Sequence, residues 1–330
     1  SSIVQDEPIS IYDPSTGDNW EPENDDQQVY GPTRLRVALA KSRNLASIRL
    51  LQEIGVGYAI NYATRFGFDA NQLPRNLTLA LGTGVVTPLQ MVSAYSIFAN
   101  GGYKVNPYLI EKIVDASGKL VYQAQPKFAC ESCISATTNQ TTTPLVSPTQ
   151  LAPQVITPQI SYLMTSALQS VIRNGTGHKA MELNRTDLAG KTGTTDTDAW
   201  FTGYNSDIVA TAWIGFDNSK SINEFGSQVA LPMWMDFMKI ALNGKPAHTL
   251  PVPPQIVTAL INSQTGLLTS NNDPNAITEW FQQNHFPANN AGSGDNADDE
   301  NDGLPDDQGA PVVDGTKDAT NGNDGSQPLF

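Results

Sequence analysis

The hydrophobic pattern of this chain changes period near residue 188, and that change constrains the fold more than any other feature. Earlier segments repeat apolar residues at the spacing of an α-helix, most regularly over 160–171. Later segments alternate apolar and polar residues, as half-buried strands do. The segments 200–204 and 208–216, joined by a short polar turn, predict a β-hairpin with the Lys191 segment at its edge. This order of elements predicts an α+β fold with an antiparallel sheet packed between helices.

Capping residues place several helix boundaries. Thr87 precedes Pro88, and Gln90 can reach back to it, so a capping box is predicted at the start of a helix. Thr157 and Pro158 repeat this start signal. Other helices are expected after Pro32, with a break of phase at 42–44, and over 58–66, 233–242 and 276–283. Strands are expected over 108–114, 120–123 and 256–261, and loop with a short strand is expected over 1–30.

Two polar motifs stand out against this pattern. Lys191-Thr192-Gly193-Thr194-Thr195 places a lysine, three hydroxyls and a glycine in the predicted edge strand. Such a set can hold a carboxylate beside a reacting carbonyl, which indicates acyl transfer. Far upstream, Ser42-Arg43-Asn44 places a serine and a carboxamide with one residue between them, at the predicted joint between two helices.

The two motifs resemble the Lys-Thr-Gly and Ser-x-Asn motifs of penicillin-binding proteins and serine β-lactamases. Residues 34–39, ahead of Ser42, are also typical of class A penicillin-binding proteins. The chain resembles the transpeptidase domain of that family over residues 1–288, and the resemblance implies the penicillin-binding protein/serine β-lactamase-like fold. Arg43 stands where class A β-lactamases carry aspartate, which favours a transpeptidase over a β-lactamase.

One motif of the family is missing from the sequence. No serine stands three residues before any lysine, so no Ser-x-x-Lys occurs in the chain. The segment 176–179 comes nearest, with threonine in place of serine, and we interpret it as a turn ahead of the Lys191 strand. In the family, the nucleophilic serine and its base lysine precede a segment that resembles 1–30. We therefore expect the chain to begin after these two residues and to be inactive alone.

The resemblance implies roles for the residues that are present. Ser42 is expected to relay a proton between the base lysine and the leaving amine, since a hydroxyl both donates and accepts. Asn44 is expected to hold that lysine and the substrate amide. Lys191 is expected to supply a positive field that favours an anionic peptide terminus and keeps the neighbouring lysine neutral. Ser42, Asn44 and Lys191 are therefore the predicted catalytic residues.

The rest of the Lys191 motif is predicted to bind substrate. The hydroxyls of Thr192 and Thr194 can donate to the substrate carboxylate, and the backbone N–H of Thr194 can donate to an oxyanion. Gly193 lets the strand approach the substrate without a Cβ between them. Thr195 completes the predicted substrate-binding set. No metal and no cofactor are expected.

The implied function is that of a D,D-transpeptidase. It would cross-link peptidoglycan stem peptides ending in D-Ala-D-Ala through a serine acyl-enzyme, and β-lactam antibiotics would inhibit it. The alternatives are a D,D-carboxypeptidase of the same fold, with water as acceptor, and a non-catalytic penicillin-sensing or scaffold module. Family analogy adds lipoprotein activators and the elongation machinery as partners. It also implies an upstream membrane anchor and glycosyltransferase domain, at the periplasmic face of the bacterial inner membrane.

The charge of the chain is concentrated at its carboxyl-terminal end. Residues 295–330 hold ten acidic residues and one lysine, which supply −9 of the formal net charge of −14. Residues 289–330 are poor in large apolar side chains, so we predict a disordered acidic tail behind a transpeptidase domain of 1–288. Because the chain is acidic and its basic residues are scattered, nucleic-acid binding is not expected. No apolar run approaches the length of a membrane span.

The two cysteines, Cys130 and Cys133, have the spacing of redox and metal sites. A zinc site would need two more ligands, and the three histidines are scattered, so zinc binding is not expected. A Thr- and Pro-rich stretch follows the pair, where a thioredoxin-like centre would have a helix. The pair is predicted to close a small loop as a disulfide, with a free pair of thiols as the alternative.

Overall fold

The computed structural model describes residues 2–14, 17–129, 150–218 and 220–288. Its α-helices are α1 (Leu35–Lys41), α2 (Asn44–Ile54), α3 (Val56–Arg65), α4 (Pro88–Ala99), α5 (Pro158–Asn174) and α6 (Ala230–Ala241). Its strands are β1 (Ile3–Asp6), β2 (Ile11–Asp13), β3 (Asp18–Trp20), β4 (Gly31–Arg34), β5 (Lys112–Val114), β6 (Leu120–Gln123), β7 (Ala189–Thr194), β8 (Asp198–Tyr204), β9 (Val209–Gly215), β10 (Ile256–Asn262) and β11 (Ala276–Gln282). Segments of 3₁₀ helix cover Leu77–Leu81 and His178–Leu183.

A three-stranded antiparallel sheet, in the order β7-β8-β9, carries the Lys191 motif. Lys191 of β7 pairs with Thr202 of β8, and Trp200 of β8 pairs with Trp213 of β9. Within the part of the chain that the structure describes, β7 is an edge strand. The predicted hairpin, and the position of the Lys191 segment at its edge, are therefore confirmed.

Helices cover both faces of this sheet. On one face, Phe201 of β8 packs with Trp234 and Met238 of α6 in a buried apolar cluster. On the opposite face, Tyr204 of β8 packs with Val171 of α5 in a second buried cluster. Burial of apolar side chains on both faces fixes the sheet between the helix layers. The predicted α+β fold, with an antiparallel sheet packed between helices, is confirmed.

The predicted helix starts are confirmed at α4 and α5. Thr87 Oγ1 accepts from Gln90 N, and Thr87 N donates to Gln90 Oε1, which completes the capping box of α4. Thr157 caps α5 by accepting from Ile160 N at 3.3 Å. The predicted break of phase at 42–44 separates α1 from α2. These starts agree with the sequence because capping depends on residues that are neighbours in the chain.

The prediction of a helix over 276–283 is wrong. This segment forms β11, which pairs antiparallel with β10 along its whole length. The segment is rich in β-branched and aromatic residues, which favour a strand when a neighbouring strand is present to pair with them. Glu279 of β11 also forms salt bridges to Arg34 and Arg36, which no local pattern reveals.

The chain start is more ordered than expected. Four short strands lie in the segment 1–34, where β1 pairs with β4 and β2 pairs with β3. The strand predicted over 108–114 is shorter and covers Lys112–Val114. No described helix is both long and apolar enough to span a bilayer. Cys130, Cys133 and the predicted tail 289–330 lie outside the described residues.

Candidate active site

Ser42 lies at the turn that joins α1 to α2. Its φ of 56° and ψ of 50° are left-handed, a conformation that costs a residue with a side chain on the order of 1 kcal/mol. The turn closes because Arg43 N donates to Ala38 O at 2.9 Å and Ser42 N donates to Leu39 O at 3.2 Å. α2 then begins at Asn44. Backbone strain of this kind clusters at functional sites, so the turn is a candidate for one.

Lys191 reaches this turn from the edge strand β7. Its Nζ donates to Ser42 Oγ at 2.7 Å, although the two residues are 149 positions apart in the sequence. A second hydrogen bond, 3.1 Å long, joins Nζ to the backbone oxygen of Thr192. The structure therefore brings the two predicted motifs into direct contact.

The charge of Lys191 depends on its surroundings. Burial lowers the pKa of Lys191 to about 8, because the protein solvates its ammonium group less well than water does. The carboxylate of Asp25, in the loop between β3 and β4, acts in the opposite direction and raises that pKa. Lys191 is therefore positively charged at neutral pH and loses its charge under mildly alkaline conditions.

The hydroxyls of Thr192 and Thr194 each have a neighbour from another element. Thr192 Oγ1 hydrogen-bonds Thr176 Oγ1 at 2.6 Å, and Thr176 lies in the turn after α5. Thr194 Oγ1 accepts from Gly226 N at 3.1 Å, so its own proton can still be donated. Strand alternation points both hydroxyls to one side of β7. Together they can donate to an anion at this edge of the sheet.

The remaining predicted site residues have structural contacts of their own. Asn44 Nδ2 donates to the backbone oxygen of Glu23 at 2.9 Å, so its amide faces the loop between β3 and β4. A Cβ at Gly193 would lie 3.1 Å from the Cβ of its partner in β8, so packing within the sheet also favours glycine there. Thr195 Oγ1 accepts from Asp198 N at 3.0 Å in the turn between β7 and β8.

Four residues contact or border these motifs without being predicted as site residues from the sequence: Asn24, Asp25, Thr176 and Gly226. Gly226 belongs to no motif, yet a Cβ there would lie 2.4 Å from the backbone oxygen of Gly193 and 2.5 Å from that of Trp200. The segment after β9 therefore lies directly against the Lys191 strand. The sequence offers a signal only for Thr176, which falls in the segment interpreted as a turn.

A cavity of about 550 Å³ opens beside the Ser42 turn. Its walls combine two carboxylates with two cations, and they include hydroxyl groups; the residues are Asp25, Asp26, Tyr30, Thr33, Val37, Lys41, Ser42, Arg43 and Thr176. A space of this size and polarity can hold part of a peptide. No group of His, Cys, Asp or Glu side chains within the described ranges is arranged to hold a metal ion.

A family model and curated relatives match most of the chain. The family model described as Penicillin binding protein transpeptidase domain matches residues 1–239. Penicillin-binding protein 1A of Pseudomonas aeruginosa is 42% identical over 348 aligned positions, which cover 94% of this chain and 42% of that protein. Penicillin-binding protein 1A of Vibrio cholerae is 38% identical over 317 positions, which cover 87% of this chain and 38% of that protein.

A solved structure is similar over nearly the same range. The crystal structure of penicillin-binding protein 1A from Haemophilus influenzae aligns with a TM-score of 0.78 and 37% sequence identity. The alignment covers 87% of this chain and 45% of that one. The chain spans less than half the length of each of these three penicillin-binding proteins.

Proposed function

Since the chain belongs to the penicillin-binding protein transpeptidase family, we propose that it acts in a D,D-transpeptidase that cross-links peptidoglycan stem peptides ending in D-Ala-D-Ala. The observation that carries the proposal is the 2.7 Å hydrogen bond from Lys191 Nζ to Ser42 Oγ. It joins an ammonium group that attracts a peptide carboxylate to a hydroxyl that can pass on a proton. The first group can bind a substrate that ends in a carboxylate, and the second can serve the proton transfers of acyl transfer at a serine.

The reaction proceeds in two steps through a serine ester. A serine hydroxyl attacks the carbonyl carbon of the penultimate D-alanine, its proton passes to a base, and the bond to the terminal D-alanine breaks. The leaving amine receives a proton by way of Ser42. An amine of a neighbouring stem peptide then attacks the ester carbonyl and gives a proton to the base, which returns a proton to the serine oxygen as the ester bond breaks. This step forms the amide cross-link and frees the serine. β-Lactam antibiotics acylate the same serine.

The residues of the two motifs have the remaining roles in the reaction. We assign the nucleophilic serine and its base lysine to residues outside these 330, because no Ser-x-x-Lys occurs in the sequence. Asn44 orients that base and the substrate amide. Lys191 keeps the base lysine neutral through its own charge. Thr192 and Thr194 bind the substrate carboxylate, and Thr195 completes the substrate-binding set. Gly193 admits the substrate backbone, and Thr194 N–H donates to the oxyanion.

Incubation of the full-length protein with a fluorescent penicillin and with stem peptides tests this proposal. A labelled adduct, release of D-alanine and a cross-linked peptide product support it. Release of D-alanine with only hydrolysed peptide indicates a D,D-carboxypeptidase. An adduct without any release of D-alanine indicates a penicillin-sensing or scaffold module. The Ser42→Ala variant is expected to lose on the order of 10²-fold or more in peptide turnover, as for other losses of proton transfer.

The cellular setting is part of the same proposal. The similarity to penicillin-binding protein 1A of Pseudomonas aeruginosa supports a location at the periplasmic face of the inner membrane. An upstream anchor and glycosyltransferase domain would join this domain to the membrane, and lipoprotein activators and the elongation machinery would be its partners. Fractionation of cells and co-purification with the full-length protein test this setting, and recovery from the cytoplasm contradicts it.

A further inference from the structure

Asn24 uses every hydrogen-bonding position of a buried amide next to the candidate active site. The residue is only 3% exposed. Its Oδ1 accepts from Asn44 N at 2.8 Å and from Leu45 N at 3.3 Å. Its Nδ2 donates to Asp6 Oδ1 and to Gln28 O, both at 2.8 Å. A buried polar group that is fully satisfied in this way fixes its partners relative to one another.

Asn24 also caps the amino-terminal end of α2 with its side chain. Arg43, the residue before α2, makes no capping hydrogen bond with its side chain. The first two N–H groups of α2 are bound instead by Asn24 Oδ1, from a loop 20 residues earlier. Glu23 O accepts from Asn44 Nδ2 and ties the loop to the same residue a second time. The loop therefore fixes where α2 starts, two residues after Ser42.

A buried carboxylate extends this network. Asp6 is 0% exposed, and its Oδ2 has no hydrogen-bond partner within the described part of the chain. Arg43 Nε lies 4.0 Å from that oxygen and partly balances its charge. The Arg43 guanidinium also lies 3.9 Å from the centre of the Tyr30 ring and donates to Asp26 Oδ2 at 2.6 Å. The residue that follows Ser42 is thus held from three directions.

We propose that Asn24 is a positioning residue for the acyl-transfer reaction. It holds Ser42 in the left-handed conformation from which the serine hydroxyl meets Lys191. The inference rests on the proposed function, because the position of Ser42 matters for rate only if its hydroxyl takes part in the reaction. Without Asn24 the turn can relax, and a displacement of about 1 Å can cost on the order of 10²-fold in rate.

Asn205 offers a matched control within the same chain. It is 2% exposed, and its Oδ1 accepts from Asp207 N at 3.1 Å and from Ile208 N at 2.9 Å. Its Nδ2 donates to the buried Asp187 Oδ2 at 3.0 Å. Asn205 therefore makes the same kinds of hydrogen bond as Asn24, but it lies in the turn between β8 and β9. Loss of either side-chain amide removes a similar set of buried hydrogen bonds. Only Asn24 borders the Ser42 turn.

The test compares full-length variants at a temperature at which circular dichroism shows all of them folded. The second-order rate constant of acylation by a fluorescent penicillin is measured for each variant. Asn24→Ala is expected to lower it by roughly tenfold or more, whereas Asn205→Ala is expected to stay within about twofold of wild type. Equal slowing by the two substitutions, or an unchanged rate in Asn24→Ala, overturns the inference.

A charge swap provides a rescue experiment. Asn24→Asp places a second carboxylate against the buried Asp6, and like charges in a buried site repel strongly, so acylation is expected to slow. Adding Asp6→Asn restores one amide and one carboxylate to the pair. The double variant is therefore expected to recover part of the lost rate, because the hydrogen bond between residues 24 and 6 returns while Gln28 O still lacks its donor. A double variant that melts at the wild-type temperature but stays as slow as Asn24→Asp contradicts the inference.

A crystal structure of Asn24→Ala separates this inference from the proposed function. If the wild-type protein takes no label at all, the proposed function is wrong, and the geometry of Ser42 still decides the role of Asn24. Movement of Ser42 Oγ out of hydrogen-bond distance from Lys191 Nζ supports positioning by Asn24. A contact that stays at 2.7 Å rejects it.

Discussion

Lys191 combines a positive charge with partial burial, two properties that oppose each other. Because burial lowers the pKa of Lys191 to about 8, the charge that attracts a carboxylate is present at neutral pH and is lost above pH 8. Acylation by a carboxylate-bearing penicillin is therefore expected to slow as the pH rises through about 8. A rate that stays constant up to the ordinary lysine pKa of about 10.4 would contradict this assignment.

Asp25 allows the same pH profile to be shifted. Its carboxylate raises the pKa of Lys191, so Asp25→Asn is expected to lower that pKa and to move the alkaline loss of acylation to lower pH. The effect should shrink with added salt, because Asp25 is exposed to solvent. Glu53→Gln removes an exposed carboxylate on α2 and should leave the profile unchanged. Identical pH profiles for both variants and wild type would show that Asp25 does not raise the pKa of Lys191.

Single residues differ in how far the sequence reveals them. Ser42 and Lys191 can be predicted because each stands in a short motif whose members are neighbours in the chain. Asn24 and Gly226 cannot be predicted in this way. Their contacts, to Asn44 and Thr194, cross 20 and 32 residues and follow no periodic pattern. Residues that hold a motif in place therefore become visible only in the folded chain.

At the scale of elements, the segment after β9 supports the Lys191 strand by close contact. Gly226→Ala would place a Cβ 2.4 Å from the backbone oxygen of Gly193, so this segment or β7 must move. The hydrogen bond from Gly226 N to Thr194 Oγ1 is expected to break, and acylation by penicillin should slow. Gly57→Ala on α3 is the control, since a Cβ there meets nothing within 4 Å. Equal rates in the two variants would contradict a role for this contact.

The capping box of α4 gives a prediction about stability alone. Thr87→Ala removes the acceptor for Gln90 N and is expected to lower the free energy of unfolding by about 1 kcal/mol. Thr157→Ala is the comparison, because Thr157 caps α5 without the returning side-chain bond that completes a box. Urea unfolding measures both effects. A Thr87→Ala variant as stable as wild type would show that the box adds nothing to the fold.

Helices and strands can be predicted where their signals lie in residues that are neighbours in the chain. The prediction fails where pairing with a distant strand determines the structure. The starts of α4 and α5 follow from their capping residues, and the hairpin of β8 and β9 follows from alternation around a polar turn. The segment 276–283 has no such signal, and pairing with β10 makes it a strand. The short strands β1 to β4 likewise depend on each other across loops.

At the scale of the whole molecule, Glu279 joins the two ends of the described chain. It is 6% exposed, and its carboxylate pairs with Arg36 at 2.6 Å and with Arg34 at 3.2 Å. Glu279→Gln leaves two partly buried cations without their partner, so the free energy of unfolding is expected to fall by about 3–5 kcal/mol. Glu21→Gln, at an exposed site, should change it by less than about 0.5 kcal/mol. An effect of Glu279→Gln as small as that of Glu21→Gln would mean that these ion pairs do not hold β11 to β4 and α1.

The described fold brings an edge strand and a helix–helix turn together, and the hydrogen bond from Lys191 to Ser42 joins them. The most direct test is a crystal structure of the full-length protein acylated by a carboxylate-bearing penicillin. We predict that the drug carboxylate lies within hydrogen-bond distance of the Thr192 and Thr194 hydroxyls, with Lys191 Nζ and Ser42 Oγ beside the ester. A drug bound away from this edge of β7 would contradict the account.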